Sequence, residues 1–171
     1  MRASDAYAHA CLRPEHLAWL DTLPATRTIE DDVLLVHGTP ASDVVYFLET
    51  VTPEGCRAAR IDEVTALAGT TRATLILCGH THLQRSMRLD DGRLIVNPGS
   101  VGLQAYDDTH PFPHRMEAGS PHARYATVAR EEGGWHVDFH AVDYDRDAAA
   151  AAAVAHGRPE WATPLRSGYV G

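Results

Sequence analysis

The sequence of 171 residues contains no lysine, so all 15 of its basic residues are arginines. They are scattered and outnumbered by 23 acidic residues, which gives a formal net charge of −8. Binding to nucleic acids and to anionic membranes depends on clustered basic residues that neutralise phosphates. The composition therefore argues against a surface that binds nucleic acids and against one that binds anionic membranes. It leaves room for a small anionic substrate, because bound divalent metal ions reverse the local charge.

Cysteines and long hydrophobic runs are also scarce. Cys11, Cys56 and Cys78 are odd in number and have no paired spacing, which is typical of reduced thiols. The sequence shows neither a signal peptide nor an apolar run long enough to span a membrane. We therefore expect a cytoplasmic protein without a membrane partner. With 44% apolar residues the chain can bury one core, which predicts a single domain over residues 1–171.

Two apolar runs end in histidine beside glycine. Val33–Val36 is followed directly by His37, and Leu75–Cys78 is followed by a glycine and then by His80 and His82. Such runs predict buried strands, and open α/β sheets bind their ligands at the carboxyl ends of strands. Imidazoles at two strand ends therefore predict a metal site.

Three segments in order resemble the last motifs of the calcineurin-like metallophosphoesterases, and most closely the small bacterial branch of that superfamily. They are His37-Gly38, the Gly-His-Thr-His segment 79–82 and the Asn-Pro-Gly-Ser-Val-Gly segment 97–102. The resemblance covers the chain from about residue 14 to residue 161. It implies an α/β fold, namely the C-terminal portion of a four-layer α/β/β/α sandwich.

The early motifs of that family are not found in this sequence: Asp-x-His, Gly-Asp-x-x-Asp and Gly-Asn-His. The resemblance therefore implies a metallophosphoesterase domain that is incomplete at its N-terminus, as in a truncation, a misplaced start or a degenerate gene. Loss of the preceding elements would expose strand edges. We expect that a homo-oligomer could cover them.

The resemblance also implies a set of metal ligands. Members of the family hold two metals with about eight ligands; His37 and His80 would bind one ion and His82 the other. Imidazoles suit Mn, Fe, Zn or Ni. The alternative is that these are ordinary turn histidines that donate to backbone carbonyls or cap a strand.

Further residues are candidates for supporting the site. The glycine before His80 and the turn after the next strand would support the histidine segment, although an ordinary β-turn explains the same residues; they are Gly79, Asn97, Gly99 and Ser100. Asp43 and Tyr46 follow His37 and would line the substrate cleft, unless they are simply exposed.

Residues 102–122 are polar and rich in proline and histidine, which predicts a long loop within the domain. Five of its residues could act as proton donors or further metal ligands, or be solvated: Asp107, Asp108, His110, His114 and His122. No catalytic residue is identified.

The predicted function is that of a metal-dependent phosphoesterase, in which a two-metal site hydrolyses a phosphomonoester or phosphodiester. Its partner would be a small phosphorylated substrate. Two alternatives remain open. One is a non-catalytic module derived from the fold. The other is a mononuclear metal-binding module that uses His37, His80 and His82.

Overall fold

The structure is a computed structural model that describes residues 3–171. The helices are α1 (Ala3–Cys11), α2 (Pro14–Leu20), α3 (Ile61–Ala68), α4 (Arg146–Ala155) and α5 (Ala162–Ser167), with a 3-10 turn at Pro159–Trp161. The strands are β1 (Arg27–Ile29), β2 (Val33–Leu35), β3 (Glu49–Thr52), β4 (Gly55–Ala58), β5 (Leu75–Leu77), β6 (Gln84–Arg88), β7 (Leu94–Pro98), β8 (Ala105–Asp108), β9 (His114–Glu117), β10 (Ala123–Glu131) and β11 (Gly134–Val142).

The central sheet has five strands in the order β1-β2-β5-β7-β6. Its middle strands β2, β5 and β7 run parallel, whereas the flanking strands β1 and β6 pair antiparallel with their neighbours. The carboxyl ends of three parallel strands therefore meet at one edge of the sheet. This topology brings the segments after β2, β5 and β7 together, and these segments carry the three sequence motifs.

Both faces of the central sheet are covered, which explains why its inner strands are continuous apolar runs. Ile76 and Ile95 point to a core shared with α3 and with Phe47 and Leu48. The residues that alternate with them belong to a second cluster beneath the β10–β11 hairpin: Leu75, Leu94 and Val96, against Ala126, Val128 and Val137. The mixed α/β class predicted from the sequence is confirmed.

The C-terminal segment forms a small core of its own. Ala150 of α4 is buried against Ala162 and Leu165 of α5, and Trp161 packs at its margin. No helix in the described part of the chain is long and apolar enough to cross a membrane.

Residues 39–55 contain no helix and include β3 and the first residue of β4. One segment differs from the sequence-based expectation. The expected long loop over 102–122 contains the β8–β9 hairpin. In β9 the buried positions alternate, but one of them is His114, so the hydrophobic period of two is hidden. Residues 3–11, which show no clear period, form α1; residues 1 and 2 lie outside the described chain.

Gly38 allows close packing directly after His37. A Cβ atom at this position would lie 2.6 Å from the carbonyl oxygen of Val45 and 2.7 Å from that of Ser42. Backbone atoms cannot move aside as a flexible side chain would. We therefore expect Gly38→Ala to lower the free energy of unfolding by about 1–3 kcal/mol, the usual cost of overpacking.

Urea denaturation of the purified chain measures this effect, with Gly102→Ala as the matched control. A Cβ at Gly102 meets nothing within 4 Å. Equal stability of the two variants would show that the 38–45 segment relaxes freely.

Candidate metal centre

The histidine motifs meet at the carboxyl edge of the central sheet. The rings of His37 and His80 lie 4.8 Å apart between centroids, and the Gly79 amide donates to the His37 carbonyl at 2.9 Å. His37 is exposed, whereas His80 and His82 are half-buried. The sheet thus brings together two imidazoles that are 43 residues apart in the sequence.

His80 and His82 both have left-handed backbones, with φ of +67° and +62°. Residues other than glycine rarely adopt this region, although histidine is enriched among those that do. Such conformations cost on the order of 1–3 kcal/mol each and persist only where the surrounding structure imposes them. The segment 79–82, which we call the histidine turn, must therefore be held by its neighbours.

Asn97 at the end of β7 holds the histidine turn. Its amide nitrogen donates to the Gly79 carbonyl at 2.7 Å and to the Thr81 hydroxyl at 2.8 Å. Its amide oxygen accepts from the Gly99 amide at 3.0 Å. Asn97 and Thr81 are each only 1% exposed. The predicted supporting position of Asn97 thus has a direct geometric basis.

His82 is oriented by a backbone carbonyl. Its Nδ1 lies 2.8 Å from the Leu103 carbonyl oxygen, which can only accept a hydrogen bond. The neutral ring therefore carries its proton on Nδ1 and keeps the Nε2 lone pair, which is the form that binds metals. Burial lowers the pKa of His82, and the nearby His37 acts in the same direction.

A buried network of hydroxyls reaches His80 from the β8–β9 hairpin. The Tyr46 hydroxyl lies 2.9 Å from His114 Nε2 and 3.1 Å from the Tyr106 hydroxyl. The Tyr106 hydroxyl in turn donates to the His80 carbonyl at 3.0 Å. Burial, reinforced by the Tyr46 hydroxyl, raises the pKa of Tyr106, so its phenol stays protonated.

Tyr46 was predicted to line the substrate cleft or to be exposed, and His114 was a candidate proton donor, whereas Tyr106 was not predicted. The His114 Nδ1 lies 2.7 Å from the Phe112 carbonyl, so the neutral ring accepts from Tyr46 through Nε2. Tyr106 could have been found only by predicting β8, whose residues show no hydrophobic alternation. His114 is thereby part of the wall behind the histidine turn.

A buried carboxylate next to the histidine turn was also missed. Glu49 begins β3 and is 3% exposed, and its Oε1 lies 3.0 Å from Arg85 Nε in an ion pair that is not aligned as a hydrogen bond. Burial raises the pKa of Glu49, while the Thr81 hydroxyl and the Arg85 charge oppose this shift. No signal in the sequence distinguishes Glu49 from a surface glutamate.

The turn after β7 supports the histidine turn through the backbone. Gly99 has φ of +87°, and a Cβ there would lie 2.8 Å from the Arg124 Cβ. The Ser100 hydroxyl accepts from the Leu103 amide at 3.1 Å, which fixes the residue that orients His82.

Asp43 and most of the acidic and histidine candidates in residues 102–122 lie away from the histidine turn. Asp43 is exposed, the Asp108 carboxylate accepts from the Thr109 amide, and His122 contacts Ser120. His110 lines a separate groove with Val44 and Leu67. Asp107 is the exception, because it shares a cleft with His80 and His82.

That cleft has a volume of about 670 Å³. The histidine turn and β8 form one wall, and the C-terminal segment forms the other. Its lining comprises Asp5, His80, His82, Leu103, Ala105, Tyr106, Asp107, Arg158, Pro159, Glu160, Trp161, Thr163, Pro164, Val170 and Gly171.

Within residues 3–171, no three His, Cys, Asp or Glu side chains are grouped closely enough to hold a metal ion. His37 and His80 form a close pair, while the His82 ring packs against Tyr106 at 5.1 Å. The described residues thus fit the nitrogen ligands of a metal centre but not a complete coordination sphere.

Residues 13–113 match the sequence model of the calcineurin-like phosphoesterase superfamily domain, which is more than half of the chain. The chain belongs to this superfamily. Superfamily members generally use divalent metal ions and hydrolyse phosphate esters. No curated protein matches the chain.

Two solved structures share the superfamily fold. A metallophosphoesterase from Sphaerobacter thermophilus is 27% identical with a TM-score of 0.63, and the match covers 92% of this chain and 64% of that one. A hypothetical protein from Pyrococcus horikoshii OT3 is 18% identical with a TM-score of 0.63, and the match covers 92% and 56% of the two chains. The chain thus spans less than two thirds of the length of either structure.

The hydrogen bonds of Asn97 lead to a first prediction for the site. Asn97→Ala removes three bonds and leaves the Gly79 carbonyl with one partner fewer in a buried setting. We expect a loss of about 2–4 kcal/mol in the free energy of unfolding, because each of the three lost hydrogen bonds contributes about 0.5–1.5 kcal/mol. Urea denaturation measures it, and a loss below about 0.5 kcal/mol would show that the turn holds itself.

The hydroxyl of Tyr106 leads to a second prediction for the site. Tyr106→Phe removes its donation to the His80 carbonyl and its contact with Tyr46, which we expect to cost about 1–2 kcal/mol. Tyr125→Phe is the matched control, since this tyrosine is 45% exposed on the outer face of β10. Thermal denaturation of both variants tests the difference. If Tyr125→Phe were as unstable as Tyr106→Phe, the hydrogen bond from Tyr106 to the His80 carbonyl would not be what stabilises the histidine turn.

Proposed function

We propose that this protein is a metal-dependent phosphoesterase in which His37, His80 and His82 supply the nitrogen ligands of a dinuclear centre. The observation that carries the proposal is the meeting of His37 and His80 at one sheet edge, with His82 held on the Leu103 carbonyl beside them. Membership of the superfamily supports the reaction type. The substrate class is a small phosphomonoester or phosphodiester.

The donor set favours Mn, Fe, Zn or Ni over Mg or Ca, because imidazoles suit transition metals. When bound, such ions polarise the phosphoryl oxygens and lower the pKa of a bound water. The chain's own contribution is orientation. Asn97 fixes the backbone of the histidine turn, the Leu103 carbonyl fixes the tautomer of His82, and Tyr106 anchors the His80 carbonyl.

Electrostatics support a site that works through metal ions. The protein has a net charge of −8, and the acidic side chains Asp107 and Glu160 line the cleft beside His80 and His82. Without bound cations these carboxylates would repel a phosphate. The substrate is therefore attracted by the metals rather than by the protein surface.

The expected location and assembly state remain proposals. Cys11, Cys56 and Cys78 are all free, which fits the reducing cytoplasm. Edge strand β1 is exposed at all three of its residues, so a second copy of the chain could pair with it in a homo-oligomer.

A non-catalytic module is the second candidate function. It is favoured by one observation, namely that no three ligand side chains come together within the described residues. In that case the histidine turn would have only a structural role, and the cleft would bind a ligand without hydrolysing it.

Metal stoichiometry separates these functions. The chain is reconstituted with Mn²⁺ or Zn²⁺, and the ions bound per chain are measured by elemental analysis for the wild type and for His82→Ala. The dinuclear proposal expects two ions in the wild type and the loss of one in the variant. His136→Ala, on the exposed outer face of β11, is the matched control and should keep both ions.

The other outcomes of this experiment distinguish the two alternative functions. Loss of all metal in His82→Ala would point to a mononuclear centre. A wild-type chain that binds no metal and does not hydrolyse 4-nitrophenyl phosphate or its diester would support the non-catalytic module.

A further inference from the structure

The cleft beside the histidine turn is far larger than a phosphate group requires. Its volume of about 670 Å³ lies within the range of about 300–1,000 Å³ that is typical of sites for drug-sized ligands. His80 and His82 occupy only one side of it. The opposite wall, formed by residues 158–164, must therefore face the organic part of any ligand that places its phosphate at the histidines.

An immobilised aromatic ring forms part of that wall. Trp161 is half-buried and packs at the margin of the small core that contains Ala162 and Leu165. The Arg158 guanidinium lies 5.0 Å from the centre of the Trp161 ring, and its Nε donates to the Glu160 carboxylate at 2.6 Å. Arg158 covers one face of the ring and the small core holds its margin, so a ligand would stack on the opposite face at little cost in side-chain entropy.

The charge of the wall defines the ligand further. Arg158 is paired with Glu160 and lies over the Trp161 ring, so these two side chains together add no net charge to the wall. Asp107 also lines the cleft and adds a negative charge, and the carboxylates of Asp107 and Glu160 can both accept hydrogen bonds. The wall therefore suits an uncharged aromatic group that carries hydroxyl or amino donors.

We propose that this cleft is the subsite for the organic group of the substrate, which is an uncharged aromatic ring stacked on Trp161 with donors facing Asp107 and Glu160. Trp161 is thus the specificity-determining residue, and the substrate is a phosphate ester of such a ring system. The assignment of this group as part of a substrate rests on the proposed function. Binding of the ring itself depends neither on metal nor on hydrolysis.

The first measurement uses the full chain without metal and an uncharged probe without phosphate. Adenosine offers an aromatic ring with amino and hydroxyl donors, and ribose is the ringless control. Saturation-transfer NMR should detect adenosine, with its ring protons closest to the protein, and should show no comparable signal for ribose. Because the substitution removes the aromatic face on which adenosine would stack, Trp161→Leu should weaken adenosine binding about tenfold.

The chain offers a matched control for this substitution. Trp135 is equally half-buried and also lies beneath an arginine, with the Arg130 guanidinium 4.4 Å from its ring centre, but it belongs to the β10–β11 hairpin. Trp135→Leu should therefore leave adenosine binding unchanged. If Trp161→Leu does not fold, quenching of Trp161 fluorescence by adenosine in the chain with Trp19→Phe and Trp135→Phe provides the same information.

Two outcomes overturn the subsite: no binding of adenosine by the wild type, or equal effects of the two leucine substitutions. The proposed function fails separately. If the chain binds adenosine through Trp161 but neither binds metal nor hydrolyses phosphate esters, the subsite proposal stands and the phosphoesterase proposal fails. Conversely, a metal-loaded chain that hydrolyses phenyl phosphate no better than methyl phosphate keeps the activity and loses the subsite.

Discussion

The arrangement of this site depends on one buried amide. Asn97 donates to both the Gly79 carbonyl and the Thr81 hydroxyl, and these two residues enclose His80. The left-handed backbones of His80 and His82, on either side of Thr81, would not persist in a free loop, because each costs on the order of 1–3 kcal/mol. The Asn97 amide compensates by adding a hydrogen bond to the Thr81 hydroxyl and a second one to the Gly79 carbonyl, which also accepts from the Thr81 amide. The strained histidine turn is therefore stabilised by an asparagine near the end of β7, next to β5.

The parallel strands explain why this asparagine is in the right place. Leu75 to Leu77 of β5 pair in register with Leu94 to Val96 of β7, so Asn97, the next residue of β7, lies at the level where the histidine turn begins. The register itself is fixed by burial on both faces, since Ile76 and Ile95 point to one core and Leu75 and Leu94 to the other. A slip of one residue would exchange the two sets and displace Asn97. Site geometry is thus a consequence of core packing.

The same reasoning shows what could be predicted from the sequence. Strands β2 and β5 follow from apolar runs, and His37, His80 and His82 follow from the ends of those strands. The β3–β4 and β8–β9 hairpins could not be found, because their buried positions include Glu49 and His114, which resemble surface residues in a sequence. Tyr106 and the Leu103 carbonyl were missed for the same reason. Tyr106 lies on β8 and Leu103 lies just before it, where it acts through its backbone carbonyl.

Strand β8 connects ligand orientation to the shape of the cleft. Leu103 and Tyr106 hold the two histidines of the turn, while Asp107 next to them lines the cleft. The C-terminal wall is fastened to the same hairpin, because the Val170 amide donates to the Glu117 carboxylate at 2.9 Å and the Gly119 amide donates to the Gly168 carbonyl at 3.1 Å. Leu103 lies just before β8, and Tyr106 and Asp107 lie on it. The same short stretch of chain therefore holds the histidine turn on one side and lines the cleft on the other.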